Sequence, residues 1–148
     1  MKSTVLVTQG GNDTYTSVVF PLPELDGKSG RQIIGMTAYW VDGAAVAAAD
    51  YLVKALISTQ AATCVPTDNE WLCAVMWGMQ NTGGVAVAVG YEPQKSFMVT
   101  SERVTVQDIY AAVESTGTAQ ANDMYVTLEY ELIKMTELEY LRMLAGGA

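Results

Sequence analysis

The chain contains no histidine. That absence removes the commonest general base of enzymes, forbids a Ser-His-Asp arrangement, and deprives zinc of its usual nitrogen ligand. Cysteine is nearly as scarce: Cys64 and Cys73 stand alone, too few to hold zinc by themselves. Eight basic residues face sixteen acidic ones, a net charge of −8. The basic ones (Lys2, Lys28, Arg31, Lys54, Lys95, Arg103, Lys134, Arg142) are scattered, whereas a nucleic-acid binder needs a patch or arm of Lys and Arg to displace counterions from phosphate. Direct nucleic-acid binding is therefore not expected. Also missing is any apolar run of the ~18 residues that a membrane-spanning helix requires, so no transmembrane segment is expected. The opening "MKSTVLVTQGGNDTY" lacks the charged start, long apolar stretch and small-residue cleavage site of a signal peptide. The chain reads as soluble and unprocessed.

What is present in quantity is apolar side chain. Half of the 148 residues are hydrophobic, enough for a single domain over 1–148 to hold itself without staples. An acidic surface that still assembles needs apolar or cation-mediated contacts. Cys73 alternates with Trp71, Val75 and Trp77, which points it into a core as a small hydrophobe. Its spacing from Cys64 does not forbid a bridge closing the intervening loop.

The apolar residues repeat with period two more often than with period 3.6, and this predicts strands. "STVLV" opens as a short strand and "GGND" follows as a turn. "TYTSVVFPL" then places Thr16, Val18, Phe20 and Leu22 on one face before Pro21 and Pro23 end pairing. In "RQIIGMTAYWVDG", strict alternation puts Ile33, Thr37, Tyr39 and Val41 on one face and Ile34, Met36, Ala38 and Trp40 on the other. Both faces are apolar enough to be covered, within a sandwich or between copies. "AAVAAADYLVKALISTQ" mixes helical and alternating spacing; a short Ala-rich helical turn leading into a strand from about residue 50 is preferred to one helix over 43–57. "EWLCAVMWGMQ" carries Trp71, Cys73, Val75, Trp77 and Met79 on one face, "NTGG" is a hairpin turn, and "VAVAVGY" returns with Val85, Val87 and Val89 against alanines.

The tail changes period within twenty-two residues, "DMYVTLEYELIKMTELEYLRML". Met124, Val126, Leu128, Tyr130 and Leu132 share one strand face, and Tyr125, Thr127, Glu129, Glu131 and Lys134 make a mainly polar one. Thr136 and Glu139 then have the form of a capping box, with Leu138, Leu141 and Leu144 every third residue. A helix this short is unstable alone and is expected to pack on its own sandwich or on a neighbouring subunit. Strand and helix together are expected to cap one edge and one end.

No motif for catalysis persuades. Glu129 and Glu131 could flank a glycosidic bond, but a wet strand face is the ordinary place for acids. "NTGGVAVAVG" has neither phosphate-loop spacing nor a following helix. "TDNE" and "LDGKSG" offer oxygens near glycine without the twelve-residue spacing of an EF-hand, so no cofactor is expected beyond a weak loop calcium site. The aromatics Trp40, Trp71, Trp77, Tyr39, Tyr51, Tyr91, Tyr110 and Tyr125 suggest sugar stacking, though their alternating positions favour core or interface packing. An enzyme is the least supported class.

About eight strands spaced by turns, a short helical insertion and a short C-terminal helix make an all-β, eight-stranded jelly-roll or Greek-key β-sandwich. The pattern resembles the single jelly-roll capsid proteins of small icosahedral viruses. The resemblance is carried by "GRQIIGMTAYWVDG", by "DYLVKALISTQAA" before a polar loop, and by the pair "VTVQDIYAAVESTG" and "MYVTLEYELIKMTELEYLRML". It implies a structural virion protein that forms homo-oligomers, with or without other capsid proteins, soluble in the cytoplasm before assembly and located in the virion capsid after it. Many such proteins begin with a basic arm; this chain does not, so neutralising the genome would fall to another component. Candidate subunit contacts are Val85, Val87, Tyr125, Leu138, Leu141 and Leu144. The alternatives are a lectin-like carbohydrate- or ligand-binding sandwich and an oligomeric fibre-head or cytokine-like domain.

Overall fold

The computed structural model describes residues 1–41, 51–65, 67, 70–82, 85–89, 95–99, 103–117 and 121–146; at 79–82, 85–89 and 95–99 the description is of the backbone. Among the described residues, ten strands and one helix follow in order: β1 (Lys2–Thr8), β2 (Thr16–Val19), β3 (Ser29–Trp40), β4 (Tyr51–Ser58), β5 (Trp71–Thr82), β6 (Val85–Val89), β7 (Lys95–Val99), β8 (Val104–Thr105), β9 (Tyr110–Thr116), β10 (Asp123–Lys134) and α1 (Glu137–Leu144). The strand after residue 50 begins at Tyr51 as expected. The helical insertion expected just before it lies outside the described residues.

Every pairing is antiparallel. One sheet runs β1-β10-β3-β7, with β8 also on β3, and the other runs β2-β9-β4-β5-β6. If β6 and β8 are set aside, the eight remaining strands alternate between sheets, except for the β4–β5 hairpin within the second, in the order of a jelly roll, with first beside last and second beside second-last. β6 and the two-residue β8 are additions to that frame. β10 is not an edge strand, contrary to expectation: it lies between β1 and β3. Its half-polar pattern arises because an inner antiparallel strand still shows one face to water.

The core lies between the sheets. Trp40 and Trp77 are fully buried there with ring centroids 6.1 Å apart, and Tyr51 lies 5.8 Å from Trp40. Val53, Ala55 and Ile57 from β4 and Met124, Val126 and Leu128 from β10 close around them. Phe20 is buried and Val18 and Leu22 pack beside it, as the alternation of β2 requires.

Two bulges break the alternation that the sequence suggests. Glu129 pairs with Gly35 and Tyr130 with Ile33, leaving Ile34 as the extra residue of β3. The extra residue reverses in and out, so Ile33 and Arg31 are buried while Thr37 stays half-exposed and Tyr39 and Val41 exposed. The face assigned to Ile33, Thr37, Tyr39 and Val41 is therefore two faces. Likewise Ile57 pairs with Cys73 and Ser58 with Trp71, leaving Leu72 extra. Leu72 joins the main core, and Trp71 moves to the outer side of the sheet against Leu56, Cys64 and Ala112. Cys64 and Cys73 thus lie on opposite sides of one sheet and form no disulfide.

Burying Arg31 needs acceptors. Its Nη2 donates to Pro23 O at 2.6 Å and its Nη1 to Gln107 O at 3.4 Å, which ties the segment after β2 to the segment after β8. Gly30 beside it has no room for a methyl group, because a Cβ there would run into Met135 and Val104. At the other end of the sandwich, the Gln9 Oε1 accepts from Asn122 N at 3.0 Å and Asn122 Nδ2 at 2.9 Å, and Asn122 Oδ1 accepts from Trp40 Nε1 at 3.0 Å. Gln9 Nε2 donates to Ser115 Oγ at 2.9 Å and to Thr14 O at 2.7 Å. The knot links β1, β3, β9 and the entry to β10 where no water reaches.

Asn122→Ala leaves the Trp40 indole N–H without its acceptor and takes from Gln9 Oε1 one of its two donors, the Asn122 backbone N–H remaining, in a buried site. It is expected to lower unfolding stability by about 3 kcal/mol, read as a drop in the urea midpoint with unchanged slope. Burial pushes the Cys73 thiol up to about 12, and Cys64 is fully buried. Neither should react with a thiol reagent at pH 8 until denaturant is added; rapid labelling of the native protein would contradict this packing.

Candidate assembly surfaces

The registers of β1, β10 and β3 set three side chains in one row on the outer face of the first sheet. Leu6 pairs with Tyr125 and Tyr125 with Tyr39. Their exposures are 43%, 45% and 39%, and exposed Val41 follows Tyr39 two residues on. The adjoining row is Thr4, Thr127 and Thr37, where the Thr4 and Thr127 hydroxyls hydrogen-bond at 2.8 Å. Beyond it Lys2 faces Glu129 at 4.0 Å, a loose and exposed pair that contributes little. Tyr125 is thus an exposed candidate contact, in the company of Leu6, Tyr39 and Val41. Sequence alternation grouped Tyr39 and Val41 with buried Ile33, and the bulge at Ile34 is what separates them.

The outer face of the second sheet is different. Lys54 meets Glu114 at 3.1 Å, with its ammonium 5.4 Å from the Trp71 ring centroid. Opposite Lys54 on β5 is Met76, more than half exposed, and Leu52 stands exposed two residues earlier on β4. Tyr15 packs on the same side against the Leu56–Cys64–Ala112 cluster. Burial, slightly offset by Ser58, pushes its hydroxyl up to about 12. A phenol so hard to ionise is a packing group here, not a base.

The helix forms as its sequence suggests. Thr136 Oγ1 accepts from Glu139 N at 3.2 Å, and Glu139 Oε2 accepts from Thr136 N at 2.7 Å. Acidic Glu137 and Glu139 lie in the first turn and Arg142 in the last, each suited to the helix dipole. No residue of α1 is buried, and Leu138, Leu141 and Leu144 are 58%, 53% and 49% exposed. The tether is polar: Gln107 Nε2 donates to Met143 O and Leu144 O at 3.0 and 3.1 Å. So the helix lies beside its own sandwich while its leucines face outward. Leu132, assigned to the inner face of β10, is also exposed.

Between the helix C-terminus, β8 and the start of β5 is an open cleft of ≈ 590 Å³, lined among others by Gln60, Glu70, Leu72, Arg103, Gln107 and Met143. Arg103 Nη1 donates to Trp71 O at 2.5 Å. The described lining pairs no nucleophile with a base. Asp26, in the segment that suggested calcium, accepts from Lys28 N at 2.8 Å across a turn whose Gly27 sits at φ 78°; that bond is the main cause holding its carboxyl below the usual range. The other such segment includes Asp68 and Asn69, which lie outside the described residues. No cluster of metal-ligating side chains occurs among the described residues.

The candidate contacts do not converge. Tyr125 lies near the start of β10 and the leucines of α1 beyond its end, about 30 Å away at strand rise. Val85 and Val87 belong to β6 on the far edge of the second sheet, where the backbone alone is described. Separate surfaces in several directions are what the chain offers, rather than one pocket.

Hydrogen bonds from the Thr136 backbone N–H and hydroxyl hold the Glu139 carboxyl below the ordinary carboxylate range. Its contribution to the helix is therefore present above the unfolded carboxylate pKa of ~4.5 and is lost as pH falls through the lower folded value. Amide exchange in 137–144 should accelerate on acidification below that range, while the β-sheet amides stay protected. In Thr136→Ala the acceleration should already be present at pH 7; an unchanged exchange rate in that variant would count against the cap.

Comparison with protein-family models gives no match, and comparison with curated proteins gives none either.

Proposed function

We propose that this protein is a structural virion protein, a single jelly-roll capsid subunit that self-assembles into an icosahedral shell, alone or with other capsid proteins. The observation that carries the reading is the strand order, β1-β10-β3-β7 over β2-β9-β4-β5, in a rigid sandwich with exposed apolar residues on several separated surfaces. A shell subunit must touch neighbours in several directions at once. Each contact needs only modest affinity, because closed symmetry multiplies it. The net charge of −8 repels phosphate, so the genome would be neutralised by another component. The subunit would be soluble in the cytoplasm before assembly and reside in the virion capsid after it.

A second reading has one observation in its favour. Tyr125 and Tyr39 are exposed side by side on one sheet face, as a platform for stacking sugar rings would be. That platform would serve a lectin-like module, which stays monomeric when it binds.

Light scattering and electron microscopy of the purified protein, across salt and calcium concentrations, separate the two. Shells, pentamers or other closed rings are expected. A monomer that persists at millimolar concentration and binds glycans through Tyr39 and Tyr125 would replace the capsid reading.

A further inference from the structure

We infer that β1 is a self-complementary edge through which two copies of this chain join their first sheets around a two-fold axis. The inference deepens the assembly reading above and rests on it for biological purpose, though the contact has its own test.

β1 ends the order of the first sheet among the described residues. Its backbone groups divide cleanly. Met1 exchanges hydrogen bonds with Tyr130, its N–H donating at 2.7 Å and its O accepting from Tyr130 N at 2.9 Å, and Gln9 N donates to Asn122 O at 2.9 Å. Odd-numbered residues of the strand therefore turn their N–H and C=O toward β10. The even-numbered ones, Lys2, Thr4, Leu6 and Thr8, turn theirs outward, away from the sheet.

Proteins usually blunt such an edge with proline, a bulge, inward-pointing charge or brevity. β2, the corresponding edge of the other sheet, is four residues long and is followed by Pro21 and Pro23. β1 has seven residues in unbroken register with β10, no proline, and a single charge at Lys2. It is also rich in β-branched residues.

The strand suits an antiparallel copy of itself. In the register centred on Val5, Lys2 pairs with the second copy's Thr8 and Thr4 with the second copy's Leu6, and every outward N–H and C=O finds a partner. All these pairs join even residues to even residues, so both members point their hydrogen-bonding groups at each other. Lys2 is then carried to the end of the second copy where Thr8 pairs with Asp123, placing a cation beside a carboxylate. The row Leu6–Tyr125–Tyr39 of one copy runs on into the Thr4–Thr127–Thr37 row of the other. Such an isologous contact closes on itself and leaves α1, β6 and the outer face of the second sheet for other neighbours.

Proline scanning tests this on the full chain, because it removes one outward or one inward donor at a time. Leu6→Pro deletes an N–H that β10 does not use, and edge strands accept proline. The variant should keep the wild-type circular dichroism and urea midpoint while its dimer dissociation constant, measured by sedimentation, rises about 30-fold through loss of two symmetry-related hydrogen bonds. Val5→Pro deletes a donor to β10 and should instead destabilise the monomer. Without any mutation, the amides of Thr4, Leu6 and Thr8 should exchange rapidly in dilute protein and slowly in concentrated protein, while Ser3, Val5 and Val7 stay protected in both. A wild-type monomer at all concentrations, or Leu6→Pro dimerising as the wild type does, overturns the edge contact. Shells that form normally from Leu6→Pro would sink this contact and leave the capsid reading standing; dimers that never enlarge would do the reverse.

Discussion

Pairing of the last strand between the first and the third is the constraint on which the rest of this protein depends. β10 has neighbours on both sides along most of its length, and it carries Met124, Val126, Leu128 and Tyr130 into the core. Without it, β1 has no sheet and β3 loses a flank. The contact joins residues more than eighty positions apart in the chain, so the entropy of closing that loop must be met before the core can form. The buried knot of Gln9, Asn122, Trp40 and Ser115 sits where β10 begins. A one-residue slip would break several of its bonds at once and turn the apolar face of β10 to water, so knot and alternation select the same register.

The same pairing decides what the surface offers. Once β10 lies between β1 and β3, its odd residues become a solvent face, and Tyr125 comes into line with Leu6 and Tyr39. Once β10 ends at Lys134, α1 follows beyond the sandwich, held by Met135 near Gly30 and by Gln107. The frame is a rigid wall, and the features that could meet a neighbour hang from its edges, faces and end. A jelly roll that works by contact needs that division between a fixed interior and a variable exterior.

Much of the fold was legible in the chain. Period-two apolar spacing identified the strands, and turn residues separated them. Thr136 with Glu139 announced the helix start, and Cys73, Val75 and Trp77 were rightly sent to the core. What misled was strict alternation across Ile34 and Leu72: Gly35 stands beside the first bulge as a strand glycine often does, whereas the second, at Leu72, has no proline or glycine next to it. That is why Ile33, Trp71, Tyr39 and Val41 were assigned to the wrong company. The candidate contacts were legible only as types: exposed leucines every third residue on α1 and a tyrosine on a polar strand face.

The sequence by itself determined the class of the protein, an acidic all-β domain without histidine, because composition and local period act over a few residues and need no partner. Only the tertiary structure decided which strands are inner and which are edges, which side each cysteine takes, and which apolar residues stay in water. Those outcomes depend on strands distant in sequence meeting in one register, and no local pattern carries that information.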